Sequence, residues 1–91
     1  MGKFKNANLI GRNVSRLRYQ KDWSQNMLVA KMQLLGCDVT RDVVANIETC
    51  RSSVNDRQIV FLAEALGVEI GALFPPNALF ICRDDWVRAR S

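Results

Sequence analysis

Apolar residues recur along most of this chain at the spacing of short α-helices, and this spacing constrains the fold more than any other feature. The clearest stretch has apolar residues at i, i+3, i+4 and i+7, namely Ile59, Leu62, Ala63 and Leu66. Residues at that spacing share one face of a helix. No internal repeat or low-complexity segment interrupts the pattern. The sequence therefore predicts several short helices folded around one small core.

Capping residues and glycines set the limits of the predicted helices. Four residues are predicted to cap successive helices: Asn8, Ser24, Thr40 and Asn55, the last in a capping box with Gln58. Gly36 and Gly67 are predicted to end helices 2 and 4. A short helix 5 is predicted at about residues 69–74, ahead of Pro75 and Pro76.

The predicted inward faces follow from the same spacing. They comprise Ile10, Val14 and Leu17 in helix 1, Leu28, Met32 and Leu35 in helix 2, and Val39, Val44 and Ile47 around helix 3. Trp23 is expected in the core or at its rim.

Composition limits the classes of function. A chain of 91 residues with 48% hydrophobic residues is expected to form one folded domain. Three widely spaced cysteines and no histidine exclude zinc fingers, Cys-His nucleophiles and Ser-His-Asp triads. No enzyme activity, cofactor, metal or small-molecule ligand is expected. Reduced cysteines, no apolar run of membrane-spanning length and no apolar signal segment favour a cytoplasmic protein.

Positive charge is concentrated near the N-terminus. The net charge is +4, and residues 1–21 contain no acidic residue but six basic ones: Lys3, Lys5, Arg12, Arg16, Arg18 and Lys21. Such a local patch is typical of a protein that binds a polyanion. Residues 1–8 are predicted to form a flexible basic arm.

Helix 3, at about residues 40–49, is predicted to carry its polar side chains on one outward face. Arg41, Asp42, Asn46 and Thr49 are expected to point away from the core, with Ala45 among them and Val43 adjacent. A helix of this size fits the major groove of DNA.

The order of these residues resembles the phage-repressor/Cro (Xre-type) helix-turn-helix family. The resemblance rests on Ser24-Gln25-x-x-Leu28, Gly36, Val39-Thr40, Val44-x-x-Ile47-Glu48, Leu62-Ala63-x-x-Leu66-Gly67-Val68 and Leu73-Phe74. It implies an all-α, five-helix repressor-like bundle in which helices 2 and 3 form the helix-turn-helix unit. The domain would cover residues 9–74, followed by a C-terminal extension at 75–91.

The resemblance also implies roles for particular residues. The base-reading positions would be Thr40, Arg41, Asp42, Val43, Ala45 and Asn46. Gln25, Arg51 and Ser52 would contact DNA phosphates, and the basic residues Arg12 and Arg16 join them as candidates. Arg18 and Glu48 would form a structural salt bridge between helices 1 and 3. Asp42 has two open interpretations, a contact to cytosine or a role in orienting Arg41.

Three departures from the family pattern carry expectations of their own. The stretch from Gly36 to Glu48 is about two residues longer, so a wider turn or a longer helix 2 is expected. Cys50 replaces a glycine that ends helix 3, so the loop is expected to take another route. Val29 replaces an alanine and is expected to push helices 2 and 3 slightly apart.

The C-terminal extension differs in composition from the rest of the chain. Residues 77–82 are apolar and compatible with a short strand. Leu79, Phe80, Ile81 and Trp86 are candidates for a dimer contact, with Trp86 as a lid on the core as the alternative.

Two functions remain open at this point. The first is a sequence-specific regulator of double-stranded DNA, expected to be a repressor and a homodimer in a bacterial or phage-type cytoplasm. The second is a protein-interaction module of the same fold with little DNA affinity, such as an anti-repressor or an antitoxin-like protein.

Overall fold

The computed structural model describes residues 8–79 and 81–82, and this part of the chain is helical without a strand. Its elements are α1 (Gly11–Gln20), α2 (Gln25–Leu34), α3 (Arg41–Glu48), α4 (Asp56–Leu66) and a 3-10 helix (Ile70–Leu73). The all-α prediction is confirmed. The predicted fifth helix is a single 3-10 turn, which Pro75 and Pro76 follow almost at once.

One core joins all of these elements. Its fully buried side chains are those of Ile10, Val14, Leu28, Met32, Val44, Ile47, Leu62, Leu66 and Leu73. Leu17, Trp23 and Ile59 are half-buried against it. The helical spacing in the sequence therefore predicted the buried faces of α1, α3 and α4 correctly. Leu35 is an exception at 41% exposed, because α2 ends at Leu34 and Leu35 falls where the chain turns away.

Side chains cap three helices where the sequence predicted them. The backbone N–H groups of Met27, Val43 and Gln58 donate to the side-chain oxygens of Ser24, Thr40 and Asn55 at 3.1, 3.3 and 2.8 Å. The capping box of Asn55 and Gln58 is complete.

The start of α1 differs from the prediction. Helical backbone begins only at Gly11, three residues after Asn8. Asn8 still accepts hydrogen bonds through Oδ1, from the backbone N–H groups of Ile10 and Gly11 at 3.1 and 2.9 Å. Its side chain therefore satisfies the first donors of α1 from outside the helix.

The helices α1, α2, α3 and α4 each end in the same hydrogen-bonded turn, with a left-handed residue just past the helix. That residue is glycine after α2 and α4, where Gly36 and Gly67 have φ of 98° and 71°. It is Asp22 after α1 and Cys50 after α3, both with φ of 59°. The expectation that Cys50 would divert the loop is therefore wrong. The loop after α3 follows the usual path because the backbone N–H groups of Cys50 and Arg51 donate to the carbonyl oxygens of Ile47 and Asn46.

The start of the C-terminal extension is helical where a short strand was considered. Ala78, Leu79, Ile81 and Cys82 have helical conformation, and the Ile81 N–H donates to the Asn77 carbonyl oxygen at 3.0 Å. Isolated from any sheet partner, this segment satisfies its backbone locally. Residues 1–7, which hold most of the predicted basic arm, and residues 83–91 lie outside the described part.

None of the helices in residues 8–79 and 81–82 combines the length and the apolar character needed to cross a bilayer.

Candidate nucleic-acid interface

The eight residues of α3 divide sharply between a buried and an exposed face. Val44, Ile47 and Glu48 are buried, whereas Arg41, Asp42 and Asn46 are exposed. Val43 and Ala45, two other predicted base-reading residues, are half-buried at the edges of the exposed face. The predicted set therefore lies together on one side of a short, capped helix.

Three side chains on this face have no partner within the described chain. Arg41, Asp42 and Asn46 make no side-chain hydrogen bond to residues 8–79 or 81–82, and neither charge is in an ion pair there. In particular, Asp42 does not hold Arg41, which was one of its two interpretations. These polar groups can bind water or a ligand without first breaking a hydrogen bond within the described part of the protein.

The first turn of α3 has a structural role in addition to its exposure. Thr40 is exposed, and its Oγ1 accepts from the Val43 N–H, so this lone pair belongs to the cap. The hydroxyl hydrogen remains available as a donor. Asp42 lies near the positive end of the helix dipole, where a carboxylate stabilises the helix.

A buried ion pair fixes the other end of α3. Arg18 Nε lies 2.7 Å from Glu48 Oε2, Arg18 Nη2 lies 2.9 Å from Glu48 Oε1, and both side chains are about 95% buried. The hydrogen bond to Glu48 raises the pKa of Arg18 above its ordinary value, against the opposing effect of burial. Arg18 Nη1 also donates to the Trp23 carbonyl oxygen at 2.7 Å. One guanidinium thus joins α1, the turn before α2, and α3.

Gln25 extends this network to α2. Its Nε2 donates to Glu48 Oε1 at 3.1 Å, so the first residue of α2 is tied to the last residue of α3. One amide hydrogen of this predicted phosphate contact is therefore engaged inside the protein. The second amide hydrogen and the N-terminal end of α2, with its positive dipole, remain for a phosphate.

Two residues that the sequence did not assign to the interface determine how closely the end of α3 approaches the start of α1: Gly11 leaves room for it, and Asn8 bonds to it. A Cβ placed on Gly11 would overlap the carbonyl oxygen of Ile47 and lie 2.9 Å from Cys50 Sγ. Asn8 Nδ2 donates to the carbonyl oxygens of Ile47 and Ser52 at 2.9 and 3.0 Å. A glycine disfavours the helix that contains it, so its presence at position 11 conflicts with the predicted helix 1. That conflict was the one feature of the sequence that could have indicated a close contact between α1 and another segment.

The loop after α3 has its backbone donors turned inward. The N–H groups of Arg51 and Ser52 donate to the Asn46 carbonyl oxygen at 2.8 and 3.4 Å. Any phosphate contact here must therefore come from side chains. Arg51 is exposed and Ser52 is half-buried, so Arg51 is the better placed of the two.

The remaining predicted phosphate residues lie on α1. Arg12 and Arg16 are both exposed, and Arg16 Nη2 donates to Asn13 Oδ1 at 3.0 Å. Arg12 follows Gly11 directly, so it stands next to the contact between α1 and the end of α3.

The turn between α2 and α3 is held by a side chain that the sequence pattern did not single out. Gln33 Nε2 donates to the Val39 carbonyl oxygen at 2.9 Å across residues 35–40. Cys37 is buried in this turn, and burial raises the pKa of its thiol, with Asp38 adding to the effect and Arg57 opposing it. Gln33 is exposed in the helical pattern, so nothing in the sequence distinguished it from a solvated residue.

The predicted dimer residues are only partly described. Leu79 is 66% exposed and Ile81 is half-buried, while Phe80 and Trp86 lie outside the described residues. In the described part, no group of three or more His, Cys, Asp or Glu side chains is placed to hold a metal ion.

The chain matches no family model, no curated protein and no solved structure.

Proposed function

We propose that this protein is a sequence-specific regulator that binds double-stranded DNA and acts as a repressor. The observation that supports this most directly is α3. It is capped at its start, buried along one face and fixed at its end by Arg18 and Glu48, and its exposed residues Arg41, Asp42 and Asn46 have no side-chain partners in the described part of the chain. Base recognition requires a helix that is fixed in position and polar side chains that can reach the edges of the bases.

The arrangement of the elements supports assignment to the repressor/Cro helix-turn-helix class. In this proposal α2, the turn at residues 35–40 and α3 form the helix-turn-helix unit, and the 3-10 helix takes the place of the fifth helix. The network of Gln25, Glu48 and Arg18 fixes the angle between α2 and α3.

In the proposed complex α3 lies in the major groove. Arg41 reads guanine through O6 and N7, Asn46 reads adenine through N6 and N7, and Asp42 accepts from N4 of cytosine. Val43 and Ala45 contact thymine methyl groups from the edges of the face, beside Thr40. Each good base contact contributes about 1–3 kcal/mol of discrimination.

Phosphate contacts supply most of the affinity in this proposal. They come from Gln25 at the start of α2, from Arg12 and Arg16 on α1, and from Arg51 with Ser52 after α3. Such contacts release counterions, so the affinity falls steeply as salt is added. Two copies of the chain place their reading helices about 34 Å apart on a pseudo-palindromic site.

A binding selection on random duplexes, followed by variants, tests the proposal. Wild type should enrich one sequence. Arg41→Ala should lose the preference at one base position, whereas Arg51→Ala should weaken all duplexes alike and flatten the salt dependence by about one charge. Arg57→Ala is the matched control, because Arg57 is an exposed arginine on α4 beside the turn at residues 36–39. An unchanged preference in Arg41→Ala would refute the role of that residue.

A protein-interaction module is the second candidate, and exposed leucines favour it. Leu34 and Leu79 are 86% and 66% exposed, which suits a protein partner better than a polyanion. A mobility-shift titration at low salt separates the two functions. Failure to retard any duplex, together with a stable complex with another protein, would select the module.

A further inference from the structure

α2 is apolar on both of its sides, although only one side is buried. Leu28, Val29 and Met32 face the core, while Met27 is 45% exposed and Leu34 is 86% exposed. Exposed polar residues of α2, namely Asn26, Lys31 and Gln33, lie beside these two side chains, but large apolar side chains that are exposed together on one surface are typical of a contact with a partner. The outer end of α2 is therefore a surface that lacks its cover in the single chain.

Next to Leu34 lies a groove between α2 and α4, here called the α2–α4 groove. It has a volume of about 270 Å³, and its lining residues are Lys31, Leu34, Leu35, Glu64 and Ala65. Three of these five lining residues are apolar, and the groove is large enough to accept a leucine side chain. Leu34 therefore both projects from this surface and borders the groove beside it.

That combination is what a two-fold interface requires. Around a two-fold axis one surface meets its own copy, so it must carry both a projection and the depression that receives it. The charges satisfy the same condition, because Lys31 is on α2 and Glu64 is on α4. Neither is in an ion pair within the described chain, where Arg18 and Glu48 form the single pair. The Lys31 ammonium lies 4.9 Å from the Trp23 ring centroid, a contact that leaves its charge uncompensated.

We propose that the α2–α4 groove is the surface at which two copies of this chain meet. Leu34 of each copy enters the groove of the other, and Lys31 faces the partner's Glu64. This inference deepens the proposed function, since a two-fold pair of reading helices matches a pseudo-palindromic site. It assigns the dimer contact to α2 and α4 instead of to the C-terminal extension.

Sedimentation of the full chain over a range of concentrations tests the assignment. Wild type should be a dimer, and Leu34→Glu should be a monomer with an unchanged circular dichroism spectrum, since Leu34 makes no part of the core. Leu79→Glu is the matched control, because Leu79 is also an exposed leucine and belongs to the competing surface. It should remain a dimer.

Reversal of the two charges gives a second, independent measurement. Lys31→Glu and Glu64→Lys should each raise the dimer dissociation constant at least tenfold, because each places like charges opposite one another. The double variant should recover most of the wild-type value. Additive losses in the double variant would overturn the pairing.

Other outcomes also overturn the proposal. These are a wild type that stays monomeric at all concentrations, a Leu34→Glu variant that stays dimeric, or a Leu79→Glu variant that becomes monomeric. DNA retardation is measured on the same samples. Retardation by a monomeric wild type would leave DNA binding standing and remove only this surface, whereas a Leu34-dependent dimer that retards no duplex would do the reverse.

Discussion

The two ends of α3 are built in opposite ways. At the C-terminal end, Arg18, Gln25, Asn8 and Gly11 from three different segments converge on Glu48 and Ile47. At the N-terminal end, a Thr40 cap bond of 3.3 Å holds the first turn, and Gln33 braces the preceding carbonyl of Val39. Ile47 and Glu48 at the fixed end are not predicted to contact bases, whereas four of the six predicted base-reading residues, Thr40 to Val43, lie at the N-terminal end, and Ala45 and Asn46 lie between the two ends.

This difference indicates a division of labour within one short helix. The C-terminal end sets the position and tilt of α3 as a rigid body relative to α1 and α2. Arg41 and Asp42 can then vary without disturbing the core, because both are exposed and make no ion pair within the described part of the chain. Stability and recognition should therefore respond to different substitutions.

The largest effect is expected from Arg18→Met. Removal of one partner leaves the Glu48 carboxylate buried without its counter-charge, which should lower the free energy of unfolding by about 3–5 kcal/mol. Urea unfolding measures it. Arg16→Met, on the same helix but exposed, is the control and should change stability by less than about 0.5 kcal/mol. Equal losses in the two variants would mean that the buried pair does not anchor α3.

Gly11→Ala should come next. The added methyl group meets the Ile47 carbonyl oxygen, and a backbone atom cannot move aside as a side chain can, so a loss of about 1–3 kcal/mol is expected. Gly71→Ala is the control, because a Cβ there has nothing within 4 Å. Thermal unfolding of both variants compares them. A Gly11→Ala protein as stable as wild type would show that α1 and α3 can separate freely.

At the exposed end, Thr40→Ala should have a smaller effect of about 1 kcal/mol, the usual contribution of an N-cap side chain. Ser53→Ala in the following loop serves as the comparison, since Ser53 is exposed and makes no side-chain hydrogen bond in the described chain. Denaturant midpoints report both. If Thr40→Ala destabilised the protein as strongly as Arg18→Met, the contrast between the ends of α3 would not hold.

The smallest effect, and the one of opposite sign, is expected from Cys50→Gly. Cys50 has a φ of 59°, which disfavours a side chain by about 1 kcal/mol, so glycine should stabilise the protein by up to that amount. Thr49→Gly at the neighbouring position, where φ is −92°, should destabilise it. Scanning calorimetry of the two variants distinguishes the signs. Destabilisation by Cys50→Gly would indicate that contacts of this side chain outweigh its backbone strain.

Local sequence features, such as capping residues and helical spacing, predicted most of the helices. They did not predict features that depend on contacts between distant segments or on the exact end of a helix. Caps at Ser24, Thr40 and Asn55 were predictable because each acts within one turn of its own helix. The exposure of Leu35 was not predictable, because the predicted stop at Gly36 did not reveal whether the residue before it still belongs to the helix. The length of the predicted fifth helix was overestimated for the same reason, since only Ile70–Leu73 have helical geometry, as a single 3-10 turn.

In the candidate interface, too, some features could be predicted from local sequence and others could not. The exposure of Arg41, Asp42 and Asn46 follows from the periodicity of α3, so the sequence could indicate it. The hydrogen bond from Gln25 to Glu48 and the two long-range bonds of Asn8 join residues 23, 39 and 44 positions apart. An amide side chain is compatible with so many partners that its sequence position alone cannot choose among them.

Asn8 has a practical consequence for anyone who handles this protein. Because its amide is bonded to the carbonyl oxygens of Ile47 and Ser52, the polypeptide enters the fold right beside Arg51. A purification tag fused ahead of Met1 would be attached only seven residues away, a tether of at most about 25 Å. Such a tag would crowd the surface where nucleic acid is expected, so its removal should precede any affinity measurement.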